Sequence, residues 1–264
     1  MSGAAVRWPC GWLPRAVLFD LDGVLVDSMR FHVQAWQSAV RSVLNGRVAA
    51  QEIYRREGEP GRVTARDVLI AHGRRPTATA MAALLEEKER CFMACRWRIR
   101  PYRCARRLLA VAQCSGLPLG LVTGTSQPEV RRMVPAWMRA VFRVLVTGDR
   151  VRRGKPHPEP YRTACRWLRV DPERTLVVEN APYGIASAQS AGIGCVVGVA
   201  TSLPRTALRD ADVTVPSLEV LCELLEQRLR YPDTVMRPIN RRRKTCGMRR
   251  TARKGRGRSQ EASS

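Results

Sequence analysis

Four short stretches of this 264-residue chain end in side chains able to handle a phosphate and a hard cation. Asp20 and Asp22 close one apolar run, and Thr123, Gly124 and Thr125 follow a second. Lys155 follows a third by a short loop, and Glu179 and Asn180 close a fourth. The three carboxylates and the amide carbonyl are hard oxygen donors of the kind Mg²⁺ selects. Lys155 is a mobile point cation. The Thr123 hydroxyl and the N–H groups of Gly124 and Thr125, placed where a helix is expected to begin, suit a phosphate. A carboxylate able to attack, a divalent cation and a phosphate cradle together make a site for phosphoryl transfer.

Such residues need a scaffold that brings distant segments to one edge. The runs Ala16–Asp22, Leu117–Thr123, Val141–Thr147, Thr175–Glu179 and Cys195–Ala200 predict strands, with Val213–Val215 as a sixth at an edge. Continuous apolar runs, rather than strict alternation, mark strands buried on both faces. Helical patterns at Tyr102–Cys114, Pro128–Arg139, Pro158–Leu168, Tyr183–Ala191 and Leu218–Leu229 fill the gaps. The fold class is therefore α/β, a Rossmann-like parallel sheet flanked by helices with right-handed crossovers. Ligands bind beyond the strand carboxyl ends of such sheets, and every residue named above lies there. The long gap between Asp27 and Pro101 has no strand pattern. It predicts helices at Met29–Leu44, Ala49–Glu57, Thr64–Ala71 and Ala78–Cys95, an all-helical second domain inserted after the first strand. The expected organisation is a core from residues 1–28 and 101–231, a helical insert at 29–100, and a basic tail at 232–264 whose polar, low-complexity composition predicts disorder.

FDLDGVLVDS, LVTGTS, the lysine of GKPHPEPY and VVENAPYGIASAQSAG resemble the four ordered motifs of the haloacid dehalogenase-like hydrolases, in the branch that holds phosphoglycolate phosphatase-like enzymes and β-phosphoglucomutase. Each motif alone is weak evidence; four in order at fitting spacing are specific. The resemblance implies an α-helical cap domain after the first motif, where the helical insert lies, and Mg²⁺-dependent hydrolysis of a small phosphorylated metabolite through an aspartyl-phosphate. It makes Asp20 the nucleophile and Asp22 the acid and then the base. It implies Mg²⁺ held by the Asp20 side chain, the Asp22 carbonyl and the Glu179–Asn180 pair. It also implies phosphate contacts at Gly23, Thr123, Gly124, Thr125 and Lys155. His32, in SMRFHVQAW at the entry to the insert, is a candidate to touch substrate or to couple cap closure to chemistry, and a plain helix residue near the hinge is the equal alternative. An acid role requires the Asp22 pKa to rise above the ordinary value of about 3.9. Neighbouring carboxylates and phosphate are expected to raise it, while the metal and Lys155 keep Asp20 ionised. One departure stands out: the fourth motif often carries two acids, and here the second is Asn180. The site is then one negative charge short, and either Glu179 compensates or Mg²⁺ binds more weakly. A sugar phosphomutase uses the same residues and is the runner-up.

Composition bounds the alternatives. Lys and Arg number 46 against 23 acids, a net charge of +23, and only four of the basic residues are lysines. Residues 232–264 hold 11 basic and 2 acidic residues. Such charge attracts anions: phosphorylated metabolites, nucleic acid or acidic surfaces. A non-catalytic nucleic-acid-binding or regulatory role for the tail ranks below the enzyme, because no recognition fold accompanies it. No membrane span and no secretory signal are expected. The nine cysteines include no Cys-x-x-Cys pair, which points to reduced thiols in a cytoplasmic protein; a monomer suffices. Plainer readings apply elsewhere: Asp27 and Ser28 as helix N-caps, Asp149 and His157 as loop-ordering residues, and Trp36 as cap core. The arginines Arg55, Arg56, Arg62, Arg66, Arg74 and Arg75 are mostly solvated charge, with one or two from Gly58–Thr64 or Arg74–Thr77 facing the substrate.

Overall fold

The apolar run that starts at Ala16 forms β1 (Ala16–Phe19), with every residue fully buried. The computed structural model describes residues 12–230; the basic segment 232–264 lies outside the described residues. Four helices follow β1: α1 (Met29–Leu44), α2 (Ala50–Arg55), α3 (Gly61–Ala71) and α4 (Ala78–Cys95). Then come α5 (Ala105–Cys114), β2 (Leu119–Val122), α6 (Gln127–Met133), α7 (Ala136–Arg139), β3 (Val144–Val146), α8 (Glu159–Leu168), β4 (Thr175–Glu179), α9 (Pro182–Ser190), β5 (Cys195–Val199), β6 (Val213–Val215) and α10 (Leu218–Arg230). All six strands pair in parallel in the order β3-β2-β1-β4-β5-β6. The chain builds outward from β1 on one side, then returns to its other side with β4. That reversal opens a crevice beyond the carboxyl ends of β1 and β4.

Side chains along β1 alternate between two cores because successive Cβ atoms point to opposite faces. Val17 and Phe19 pack with Leu108, Val130 and Leu221 from α5, α6 and α10. Leu18 packs on the other face with Tyr161 and Ala164 of α8 and Ile185 of α9. The insert has a third core of its own, in which Trp36 and Val40 of α1 meet Ile53, Val68 and Leu84. Burial of each large apolar side chain contributes about 1.5–3 kcal/mol, so the insert has its own reason to stay helical. Its two connections to the sheet are tied together. The Asp27 N–H donates to the Arg100 carbonyl (2.9 Å), and the Tyr102 N–H donates to the Leu25 carbonyl (3.0 Å).

Two local expectations are corrected. The helix expected over Pro128–Arg139 is broken into α6 and α7, because Pro135 has no N–H and drives Val134 to an extended φ of −91° and ψ of 123°. Ser28 does stand at the N-cap of α1, but its hydroxyl makes no cap hydrogen bond. Among the described residues no helix is long and apolar enough to cross a membrane. The described cysteines are all free; Cys165, Cys195 and Cys222 are buried, whereas Cys114 is exposed.

Candidate functional site

Lys155 is the hub of the crevice. It is 2% exposed, and its Nζ donates to Asp20 Oδ1 (2.5 Å), Glu179 Oε1 (2.5 Å) and the Val122 carbonyl (3.2 Å). The ends of β1, β2 and β4 therefore converge on one ammonium group. Glu179 is held further by the Tyr161 hydroxyl, which donates to Oε1 (2.6 Å), and by the Asn180 N–H, which donates to Oε2 (3.0 Å). Both Glu179 oxygens thus have partners in the protein. Of the two fourth-motif candidates for a cation ligand, Glu179 acts here as the counter-ion of Lys155, and Asn180 remains.

Asp22 sits among donors. Its Oδ1 accepts from Ser28 Oγ (2.6 Å) and lies 3.3 Å from His32 Nε2. Its Oδ2 accepts from Thr125 Oγ1 (2.7 Å) and Thr123 Oγ1 (3.3 Å). His32 is stacked on Phe92 of α4 at 4.0 Å between ring centroids. The residue expected to link the insert to the chemistry thus touches the second aspartate directly, and Ser28, read as a simple cap, belongs to the same group.

Three expected phosphate donors are placed differently. The Gly23 N–H donates to the Val26 carbonyl (2.9 Å), and its carbonyl accepts from Thr201 Oγ1 (2.5 Å). The N–H, the one Gly23 group able to donate to a phosphate, is thus engaged within the protein. Gly23 instead provides space and a positive φ of 79°. A Cβ there would fall 2.0 Å from Asn180 Nδ2. The Thr125 N–H donates to Thr123 Oγ1 (3.0 Å) rather than facing the crevice. The Thr123 hydroxyl itself is turned to Asp22. Gly124 and Thr125 do line the cavity, of about 130 Å³, together with Asp20, Asp22, His32 and Trp36.

The sequence reading missed Glu57 and Lys88, both from the insert and both lining that cavity. Glu57 is buried in the loop between α2 and α3. Asn180 Nδ2 donates to its Oε1 (2.5 Å) and also to Ser202 Oγ (3.2 Å). A position next to Gly58 in an insert loop carried no motif, so only the fold could reveal it. Of the insert arginines, Arg56 lines the cavity, but its Nη1 is engaged by Glu59 (3.0 Å) and Asp67 (2.9 Å). Arg62 reaches the Arg152 carbonyl.

The electrostatics reverse one expectation. Burial raises the Asp22 carboxyl, but His32, Ser28 and Thr125 outweigh it and hold the group well below the ordinary carboxylate range. The expected rise is thus cancelled by side chains that favour its charged form. Asp20 is the group pushed up, to about 8, by burial first; Lys155 opposes, while the charges of Glu179 and Asp22 add. Glu57 is raised by burial and by the charges of Asp20, Glu179 and Asp22, against the Asn180 hydrogen bond. Lys155 is raised by Asp20 and Glu179 against its own burial.

Among the described residues no three His, Cys, Asp or Glu side chains form a metal-binding group by themselves. The donor set nevertheless fits a small hard cation. Asn180 Oδ1 and Glu57 Oε2 are buried oxygens without a hydrogen-bond partner. They lie beside buried carboxylates, and oxygens of this kind are the donors a small hard cation takes.

The model of the family described as haloacid dehalogenase-like hydrolase matches residues 17–198. The chain belongs to the haloacid dehalogenase-like hydrolases. Within this family, it is 33% identical over 218 residues to validoxylamine A 7'-phosphate phosphatase of Streptomyces hygroscopicus subsp. limoneus, covering 77% of this chain and 94% of that protein. It is 31% identical to the phosphorylated carbohydrates phosphatase of Thermotoga maritima, covering 71% and 86%. The structure of CbbY from Rhodobacter sphaeroides in complex with phosphate superposes with a TM-score of 0.66 at 27% identity, covering 79% of this chain and 96% of that one. This haloacid dehalogenase-like hydrolase is a phosphoric monoester hydrolase, in the branch that contains phosphatases and β-phosphoglucomutases.

Proposed function

We propose that the protein hydrolyses a small phosphorylated metabolite, of the sugar-phosphate class, with Mg²⁺ and through an aspartyl-phosphate on Asp20. The observation that carries this reading is the convergence on Lys155: a buried ammonium joins Asp20 to the β4 end, beside a cavity lined by Asp22, Gly124 and Thr125. Phosphorylated carbohydrates are what the Thermotoga maritima relative is named for.

Asp20 attacks phosphorus, and the bond from phosphorus to the ester oxygen breaks. Lys155 offsets the negative charge gathered between Asp20 and the incoming phosphate. The departing oxygen needs a proton. Asp22, held ionised by its donors in the free site, is the carboxyl placed to supply it once the negative charge of the bound phosphate raises its proton affinity; His32 Nε2 lies 3.3 Å from its Oδ1. In the second half Asp22 takes a proton from water as the water attacks the aspartyl-phosphate, releasing inorganic phosphate. Its donors favour the ionised form, which suits the base role directly. Asp20, the Asp22 carbonyl and Asn180 would hold Mg²⁺, which supplies positive charge that keeps Asp20 ionised and draws charge off the phosphoryl oxygens. The insert acts as a cap. Its paired connections at Asp27 and Tyr102 serve as the hinge, and its seating excludes bulk water from the cavity.

The test is release of inorganic phosphate from a panel of hexose, hexitol and amino-sugar phosphates, phosphoglycolate, nucleoside monophosphates and pyrophosphate, with and without Mg²⁺. The expected outcome is Mg²⁺-dependent release from at least one phosphorylated carbohydrate. Asp20→Asn is expected to lower it by roughly four orders of magnitude while the far-ultraviolet spectrum is unchanged. Wild-type turnover in that variant, or sugar-phosphate isomerisation without phosphate release, overturns the assignment.

A further inference from the structure

Asn180 leaves the core one negative charge short at the fourth motif, and the fold brings a charge to that place from the insert. Glu57 is 5% exposed, and its Oε1 accepts from Asn180 Nδ2 at 2.5 Å. The second oxygen of Glu57 and the side-chain oxygen of Asn180 are both buried and unpartnered among the described residues. The two unsatisfied atoms thus belong to two side chains already bonded to each other. A buried carboxylate oxygen without a donor is costly, and a cation is the partner that removes the cost. Asp20 and Asp22 line the same cavity as Glu57, while Lys155 is already shared by Asp20 and Glu179.

The chain makes room for this contact. Gly23 has no Cβ to collide with it; one would lie 2.0 Å from Asn180 Nδ2 and 2.7 Å from Glu57 Oε1. The loop that carries Glu57 lies over the site, since a Cβ on Gly58 would meet the Lys155 side chain at 3.2 Å and one on Gly124 the Gly58 carbonyl at 3.6 Å.

We propose that Glu57 is the insert's contribution to the divalent-cation site: through Oε2 it supplies the charge that Asn180 lacks, so that the cation joins the insert to the core. This rests on reading the site as cation-dependent. The consequence is a coupling. Tight cation binding requires the insert to be seated, and the cation in turn holds the loop between α2 and α3 over Lys155 and Gly124.

Mn²⁺ binding to the full chain without substrate tests this, read from the paramagnetic resonance of free Mn²⁺ and from amide hydrogen exchange over residues 50–60. Wild type is expected to bind Mn²⁺ and to slow exchange over 50–60 as it does so. Glu57→Gln is expected to weaken binding on the order of tenfold or more and to remove the slowing at equal occupancy. Glu57→Gln combined with Asn180→Asp moves the charge into the core; it should recover affinity without recovering protection of 50–60. Should Glu57→Gln fail to fold, Glu57→Asp withdraws the same charge by one methylene and should weaken both readings. Unchanged Mn²⁺ affinity in Glu57→Gln, with affinity lost in Asp20→Asn, overturns the role of Glu57 and leaves the core site standing. No Mn²⁺ binding by wild type overturns both.

Discussion

The Tyr161 hydroxyl donates to Glu179 Oε1 in a wholly buried setting. Burial and the Glu179 charge raise the phenol well above its ordinary range, so it stays a donor. It shares with Lys155 the task of satisfying a carboxylate that no water reaches. Tyr161→Phe keeps the ring in its core and deletes one donor to a charged acceptor. The expected cost is about 1.5–3 kcal/mol, read as a lower melting temperature and a lower denaturation midpoint; a midpoint equal to wild type would show that Lys155 alone satisfies Glu179 Oε1. At the same scale, the donors around Asp22 explain why proximity to other acids did not raise it. Direct hydrogen bonds to the charged form outweigh the cost of burial. The sequence placed those donors near one another in two motifs but could not say that Ser28, Thr123 and Thr125 all turn toward one carboxylate.

Between elements, the contact of α4 with α6 sets two carboxyls together. Glu89 of the insert is raised from 4.5 to about 7 by burial first, then by Glu129, while Lys88 and Arg132 oppose. Glu129 accepts from the Ser126 N–H (2.8 Å) and hydroxyl (2.6 Å) and is held low. Because the folded value of Glu89 is the higher one, the folded state binds more protons between about pH 4.5 and pH 7. The contribution of Glu89 is therefore most favourable below that window, and it is lost as pH rises through it. Glu89→Gln removes the titration. Its melting temperature is expected to exceed that of wild type at pH 8 and to match it near pH 4.5. A difference that does not change with pH would place the origin of the effect elsewhere. The same element boundary shows where periodicity alone fails. Val130, Met133, Val134, Trp137 and Met138 are spaced as one helix, yet Pro135 divides it.

For the molecule as a whole, a cation shared by core and insert should make global stability depend on that cation. Mg²⁺ at one hundred times its dissociation constant is expected to add about 2.7 kcal/mol to the unfolding free energy. Thermal denaturation across a Mg²⁺ series should show the melting temperature rising with the logarithm of concentration, and chelation should return it to the apo value; a flat series would refute cation binding to the folded state. The six strands, their parallel class and the helical insert were legible from the sequence, because each depends on local apolar runs and on the length of the gaps between them. The four motifs were legible as well, because a parallel sheet sends every strand end to one edge whatever its neighbours are. The strand order, the Lys155 bridge and the pairing of Glu57 with Asn180 were decided only in three dimensions. Glu57 and Asn180 lie in separate units, and no local rule relates them. Burial against each other's partners, with space left by Gly23, is what brings them within hydrogen-bond distance.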